Sequence, residues 1–445
     1  MSPERQLVRF ALGTGGEALR PEAREALGVI LADTLAVMLA GLRAPVAAPL
    51  HRSLERWGTM RGPLPASAPD AALLLAFAIH NQEFDAVHER AVVHPLATLG
   101  GALLAELRGA TRPLPGPEWA AALALGIDLA AALGRTATRP MRFFRPAMAS
   151  GLAATLVLSK LRGLDEVRAE RALGLMLAQL SGTLQAHVEG SPALALQMGF
   201  AAAAAQRAVD LAAAGCEGPR EALGGTFGYF ALYEPEADLG PLAALEPGRA
   251  LLELALKPWP TGRAAHGALT ALEDFLAEGG RAETLAELRL EAPPLVARLV
   301  GRPWRPEMGP NYARLCLPWL AARLLAEGRL DLGSFSPAAL ASPPGDPALA
   351  VLAAAEGDPN ALGPQRLVLG FRDGHRREIA IEAALGSPSR PLDGRRRAAK
   401  IRHCLAHAGL GAEAEIGLYR AVSVLVEGQD ARAALELLPW PEPLP

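Results

Sequence analysis

Cysteine is nearly absent from the 445 residues. Cys216, Cys316 and Cys404 are odd in number, far apart and never in a CxxC spacing. Neither a disulfide framework nor a zinc site is expected from them. Lysine is equally scarce: Lys160, Lys257 and Lys400 are the only ones, and every other cation among the 44 Lys plus Arg is arginine. With so much Ala, Gly and Pro, that bias reads as GC-rich bacterial coding. There is also no surplus of charge, since 47 Asp plus Glu leave a net charge of −3. The chain therefore lacks the electrostatic footprint of a nucleic-acid or anionic-membrane binder. Residues 1–20 carry Glu4, Arg5, Arg9 and Glu17 and do not form a signal peptide. The apolar run from Ala120 to Leu133 is interrupted by Asp128 and reads as too short to span a bilayer. A cytoplasmic protein without nucleic-acid or membrane partners is expected. Phosphate-loop, GxGxxG, GxSxG and HExxH motifs are missing too, which removes most recognisable cofactor and nucleophile sites.

What the chain has is apolar residues, 51% of them, enough for a large core. From Glu4 to about Pro235 the pattern is helical, and β-branched runs are almost absent. The segment 22–42 places Leu27, Ile30, Leu31, Leu35, Met38 and Leu39 on one broad stripe, with Gly41 where the helix should stop. Residues 71–79 are apolar on all sides and predict a buried helix. Further helices are read at 97–107, 117–133, 148–161, 166–180 and 196–214.

The character changes after Trp259. One more helix is read over 266–277. Residues 285–292 then alternate apolar and polar like a half-buried strand. Residues 365–381 read as a hairpin around Asp373-Gly374, a pair suited to a type I′ turn. Between them lies a helix over 311–325 with Pro318 inside it. Residues 396–438 are helical again, and a Pro-rich tail closes the chain. The expected fold is mainly α with a smaller α+β domain. A large helical domain is built from both chain ends, 1–267 and 400–445, and 268–399 form a small lid.

One polar cluster follows the buried helix. Residues 80–95 (HNQEFDAVHERAVVHP) bring His80, Glu83, Asp85, His88 and His94 close in sequence. Imidazoles beside carboxylates tune one another for proton transfer near neutral pH. On spacing alone the segment reads more readily as a solvated loop, and no spacing is diagnostic of a metal. A second cluster, Lys257-Pro-Trp-Pro-Thr-Gly-Arg263-Ala-Ala-His266, suits a carboxylate, although a basic, Pro-rich linker would look the same. Arg145 lies just ahead of a helix, a place for an anion. His403, Cys404 and His407 read as an interface.

In order and spacing these segments resemble the MmgE/PrpD family over nearly the whole chain. The matching stretches are DTLAVMLAG at 33–41, residues 80–85 with His94-Pro95, residues 144–151, residues 182–202, KPWP at 257–260 with His266, and ARLCLP at 313–318. The resemblance implies a helical domain with an inserted lid, a homodimer and no organic cofactor. It implies dehydration, decarboxylation or epimerisation beside a carboxylate. His94 and His266 would be the acid and base, with Glu83 and Asp85 tuning them. Lys257, Arg263, Arg145 and His88 would face the substrate.

The chain departs from the family pattern at six places. Family aspartates fall on Glu83 and Ala86, a lysine on Leu194, histidines on Arg145 and Gln197, and a tyrosine on Trp319; Arg145 is expected to restore an anchor. A small organic acid, larger or more apolar than the family's tricarboxylates, is the expected substrate of a cofactor-independent lyase or isomerase. The alternative is an inactive family member with a binding or scaffolding role.

Overall fold

Small side chains govern how the helices meet. The computed structural model describes residues 1–342, 350–354 and 356–442. The end of the Pro-rich tail and two pieces of the expected lid (343–349 and 355) lie outside the described residues. Helix accounts for 58% of the chain and strand for 9%. The fold is mainly α with a smaller α+β part.

Six helices form the centre of the larger part: α1 (Pro21–Leu42), α2 (Ala68–His80), α3 (Pro95–Gly109), α4 (Gly116–Arg135), α5 (Arg145–Leu161) and α6 (Ala193–Ala213). Ser67 caps α2 by accepting from the Asp70 N–H. From Ala71 to His80 every residue of α2 is buried, as a helix without a polar face must be. Its neighbours approach through glycine. A Cβ on Gly41 would sit 1.9 Å from the Ala78 carbonyl oxygen, and one on Gly101 would sit 2.5 Å from the Ala76 nitrogen. Gly41 therefore does not stop α1, which continues to Leu42; it lets two backbones touch. Nor does α1 bury a single stripe, since everything from Ile30 to Leu42 is buried.

Helices α1 and α4 are long and apolar enough to cross a membrane, so the reading of 120–133 as too short is corrected. They are, however, 78% and 89% buried within the fold, as core helices of a soluble protein are. Asp128 is tolerated inside α4 because its carboxylate accepts the Gly248 and Ala250 N–H groups at 2.6 and 2.8 Å.

The α+β part contains α7 (His266–Ala277) and a four-stranded sheet. Its strands are β1 (Leu285–Ala292), β2 (Ala350–Ala354), β3 (Gln365–Phe371) and β4 (Arg376–Ile381), in the order β2-β1-β3-β4. Only the β1–β2 pair is parallel. The hairpin forms with a different turn from the one expected. The Gly374 N–H bonds the Phe371 carbonyl, which makes Arg372 and Asp373 the central pair. Gly374 takes the left-handed position at φ 92°, and Asp373 does not. The helix expected over 311–325 is broken into Pro310–Ala313 and α8 (Leu317–Glu327). Pro318 is the second residue of the new helix, where its missing N–H costs nothing.

Two further helices, α9 (Gly394–His407) and α10 (Glu413–Glu427), return the chain to α1. Apolar burial falls into two clusters. One gathers residues 7–254 with Leu295, Leu332 and 401–438, and the other draws on residues between Trp259 and Leu392. The chain crosses between them around Lys257.

Candidate active site

The loop from α2 to α3 is not solvated. Asn81, Gln82, Phe84, Asp85, Val87 and His88 are all buried. The corrected reading follows from the loop's anchors. Asn81 Nδ2 donates to the Gly41 carbonyl at 2.9 Å, and an Arg314 nitrogen donates to Gln82 Oε1 at 3.2 Å. Lys257 Nζ donates to the Glu83 carbonyl at 3.0 Å. Val87-His88 pairs with Leu254-Ala255 as a two-residue ladder. Held this way, Glu83 and Val92 sit at φ 53° and 52°, a left-handed region that a β-branched residue enters only under constraint.

The loop gathers its ionisable groups around one carboxylate. Asp85 Oδ2 accepts the Nδ1–H of His80 and of His94, each at 3.1 Å. The two rings meet edge to face, 4.8 Å apart. Glu83 Oε1 lies 3.7 Å from His80 Nε2, and Lys257 Nζ lies 3.1 Å from Glu83 Oε2 and 3.9 Å from Asp85 Oδ1. These neighbours push the two imidazoles apart. Burial disfavours the charged form of His80, but Asp85 and Glu83 outweigh it, so its pKa is raised. For His94 burial wins, aided by Lys257, and the pKa is lowered. Burial would raise both carboxyls as well. Lys257 and His80 instead hold Glu83 at about 2, and the imidazoles hold Asp85 well below its usual range.

Both imidazoles and Glu83 face a narrow cavity between the two apolar clusters. Its wall is otherwise mostly apolar and includes Val87, Val92, Met141, Phe144, Leu194 and Leu299. Leu194 and Arg263 line it. Asp85 and Lys257 stand behind the wall, fully buried. The Arg263 guanidinium is already engaged by Glu89 (2.7 Å), the Leu385 carbonyl (2.7 Å) and the Ala384 carbonyl (3.3 Å).

Among the described residues, five further expected groups lie off the cavity wall. His266 is buried between Thr261 Oγ1 (2.9 Å) and Arg263 (3.2 Å), and burial, then Arg263, lowers its pKa far below the usual value. Arg145 does not supply the expected anchor, because Glu234 (2.6 Å) and Asn360 (3.1 Å) occupy it. His88 bonds Glu253 at 3.1 Å. Gln197 donates to the Thr183 carbonyl. Trp319 is sealed in the second cluster against Phe335. His403 accepts the Leu332 N–H at 3.2 Å.

Two groups were missed as site residues. His80 was visible only as the first letter of the polar cluster, although its place at the end of a buried helix was the usable signal. His187 lines the cavity from the short helix Gln185–Glu189. Burial, then Arg302, lowers its pKa to about 4. No motif surrounds it. His80, Asp85 and His94 are close enough to share a metal ion, their ligand atoms lying within 4.8 Å. The ammonium of Lys257 beside both carboxylates already supplies positive charge there.

Compared with protein-family models, residues 5–241 match the MmgE/PrpD N-terminal domain and residues 259–421 match the MmgE/PrpD C-terminal domain. The comparison with curated proteins returns no match.

Proposed function

Because the chain belongs to the MmgE/PrpD family, whose members are generally lyase-type enzymes, we propose that it eliminates water from a small hydroxy acid by proton transfer beside the carboxylate. One observation carries this reading: Asp85 holds two imidazoles by their Nδ1–H groups, and their pKa values are displaced in opposite directions. A pair of titratable groups driven apart by its surroundings supplies a base and an acid at one pH. His94, neutral, takes the proton from the carbon next to the carboxylate through Nε2. His80, as imidazolium, delivers a proton to the departing hydroxyl, which leaves as water. Asp85 fixes both rings, and Lys257 balances Glu83.

The substrate we infer has few negative charges and one apolar arm. The aliphatic wall around Leu194 supports this, as does the saturation of Arg263 and Arg145 by protein acceptors. That same saturation favours a second reading, a binding protein without turnover, since a carboxylate needs a cation or donors to stabilise it.

Proton NMR in D2O separates the two. The panel spans citrate, 2-methylcitrate, cis-aconitate, itaconate and hydroxy acids with a single carboxylate and an alkyl arm. The lyase reading predicts loss of water from a monoacid, abolished in His94→Gln. Binding of such an acid with no chemical change supports the binding protein instead.

A further inference from the structure

In a chain that uses arginine almost everywhere, two of the three lysines converge on consecutive peptide carbonyls of the strained loop. Lys257 reaches the Glu83 oxygen at 3.0 Å, and Lys400 reaches the Phe84 oxygen at 2.9 Å. Lys400 comes from α9, more than three hundred residues later in the chain. It is buried with Asp33 of α1, its Nζ lying 2.7 and 2.9 Å from the two carboxylate oxygens, and 4.1 Å from the centre of the Phe84 ring. Among the described residues neither Lys400 nor Asp33 lines the cavity.

We propose that Lys400, held by Asp33, is a positioning residue for the Asp85–His80–His94 cluster. The Phe84 carbonyl belongs to the peptide that leads into Asp85, so fixing that oxygen fixes the plane from which the shared carboxylate departs. Glu83 just before it has φ 53°, and such a conformation persists only where its surroundings over-determine it. The two lysines clamp the peptides on either side of Phe84, one from the crossing between the clusters and one from the returning C-terminal helix.

The chemistry of the clamp suits lysine. A compact ammonium with three donors can serve a carboxylate and a carbonyl at once, whereas the planar guanidinium fork needs more room and fixed directions. Asp33 keeps that charge neutralised, since an unpaired buried ammonium would be costly. The role assigned to Lys400 rests on the proton-transfer reading above, so it is tested by a signal that needs no substrate.

Low-field proton NMR of the whole protein reads the Nδ1–H protons that His80 and His94 share with Asp85. They are assigned by their loss in Asp85→Asn. The proposal predicts that both resonances shift or vanish in Lys400→Met while circular dichroism and thermal unfolding stay cooperative. Lys400→Arg, with the charge but the wrong shape, should restore them at most in part. Where Lys400→Met does not fold, Asp33→Asn, which keeps an acceptor and loses the counter-charge, is expected to shift the same two resonances. Unmoved resonances in a folded variant would overturn the assignment. Unfolding of both variants would overturn it too, by making the pair a stability element alone. A shift in a protein that turns over none of the panel acids leaves the positioning role intact and removes the lyase reading.

Discussion

Asp85 is the residue on which the chemistry turns, because one carboxylate orients two rings that need opposite charges. The pH profile follows from the directions of their shifts. His94 serves as base only when neutral, so activity rises with pH through its lowered pKa, below the usual value of about 6.5. His80 serves as acid only while charged, so activity falls as pH climbs through its raised pKa, above that value. The profile should be a bell straddling about 6.5. Asp85→Asn removes the charge that supports both imidazolium forms. Both limbs should then move to lower pH, and turnover should drop about 100- to 10,000-fold. A profile unchanged in that variant, measured as kcat/KM from pH 5 to 9, would contradict the assignment. At this scale the sequence was only half legible. It displayed the letters His80, Glu83, Asp85 and His94 together, but both rings are buried and the charges beside each decide which stays neutral, Lys257 among them from a distant segment. His88 sits in the same run yet turns away to Glu253, because the short ladder with 254–255 reverses its direction.

Among the elements, α2 decides where His80 stands, and glycine decides where α2 stands. Gly41→Ala would place a methyl group inside contact distance of the Ala78 carbonyl. Helices α1 and α2 would have to separate, at a cost of about 1–3 kcal/mol, a typical overpacking penalty. Chemical denaturation should report that loss, and no change in the midpoint would show that the helices adapt freely. Most helices were legible from periodicity, and β1 and α7 were placed at their observed bounds. The misreadings share a cause. Gly41 resembled a stop signal, Pro318 an interior residue and Asp373-Gly374 a two-residue turn. In each case the neighbouring backbone, invisible in a single local pattern, set the outcome.

Across the whole molecule, Lys257 ties the crossing between the two apolar clusters to the α2–α3 loop. Lys257→Met would leave Glu83, only 12% exposed, without its cation, a loss of up to about 3–5 kcal/mol on removing one partner of a largely buried pair. Thermal unfolding should register it, and an unchanged midpoint would mean that Glu83 is stabilised elsewhere. The family was legible from motif order, because those motifs sit where chain segments meet. Pocket roles were not, since Arg145, Gln197 and Trp319 acquire partners only in three dimensions. The central claim is that one carboxylate holds a neutral and a charged imidazole side by side. The most direct test is nitrogen-15 NMR of the histidine rings at neutral pH. The account predicts His94 as the neutral Nδ1–H form, with a bare Nε2, and His80 as imidazolium. Two rings in the same charge state, or His94 protonated and His80 neutral, would contradict it.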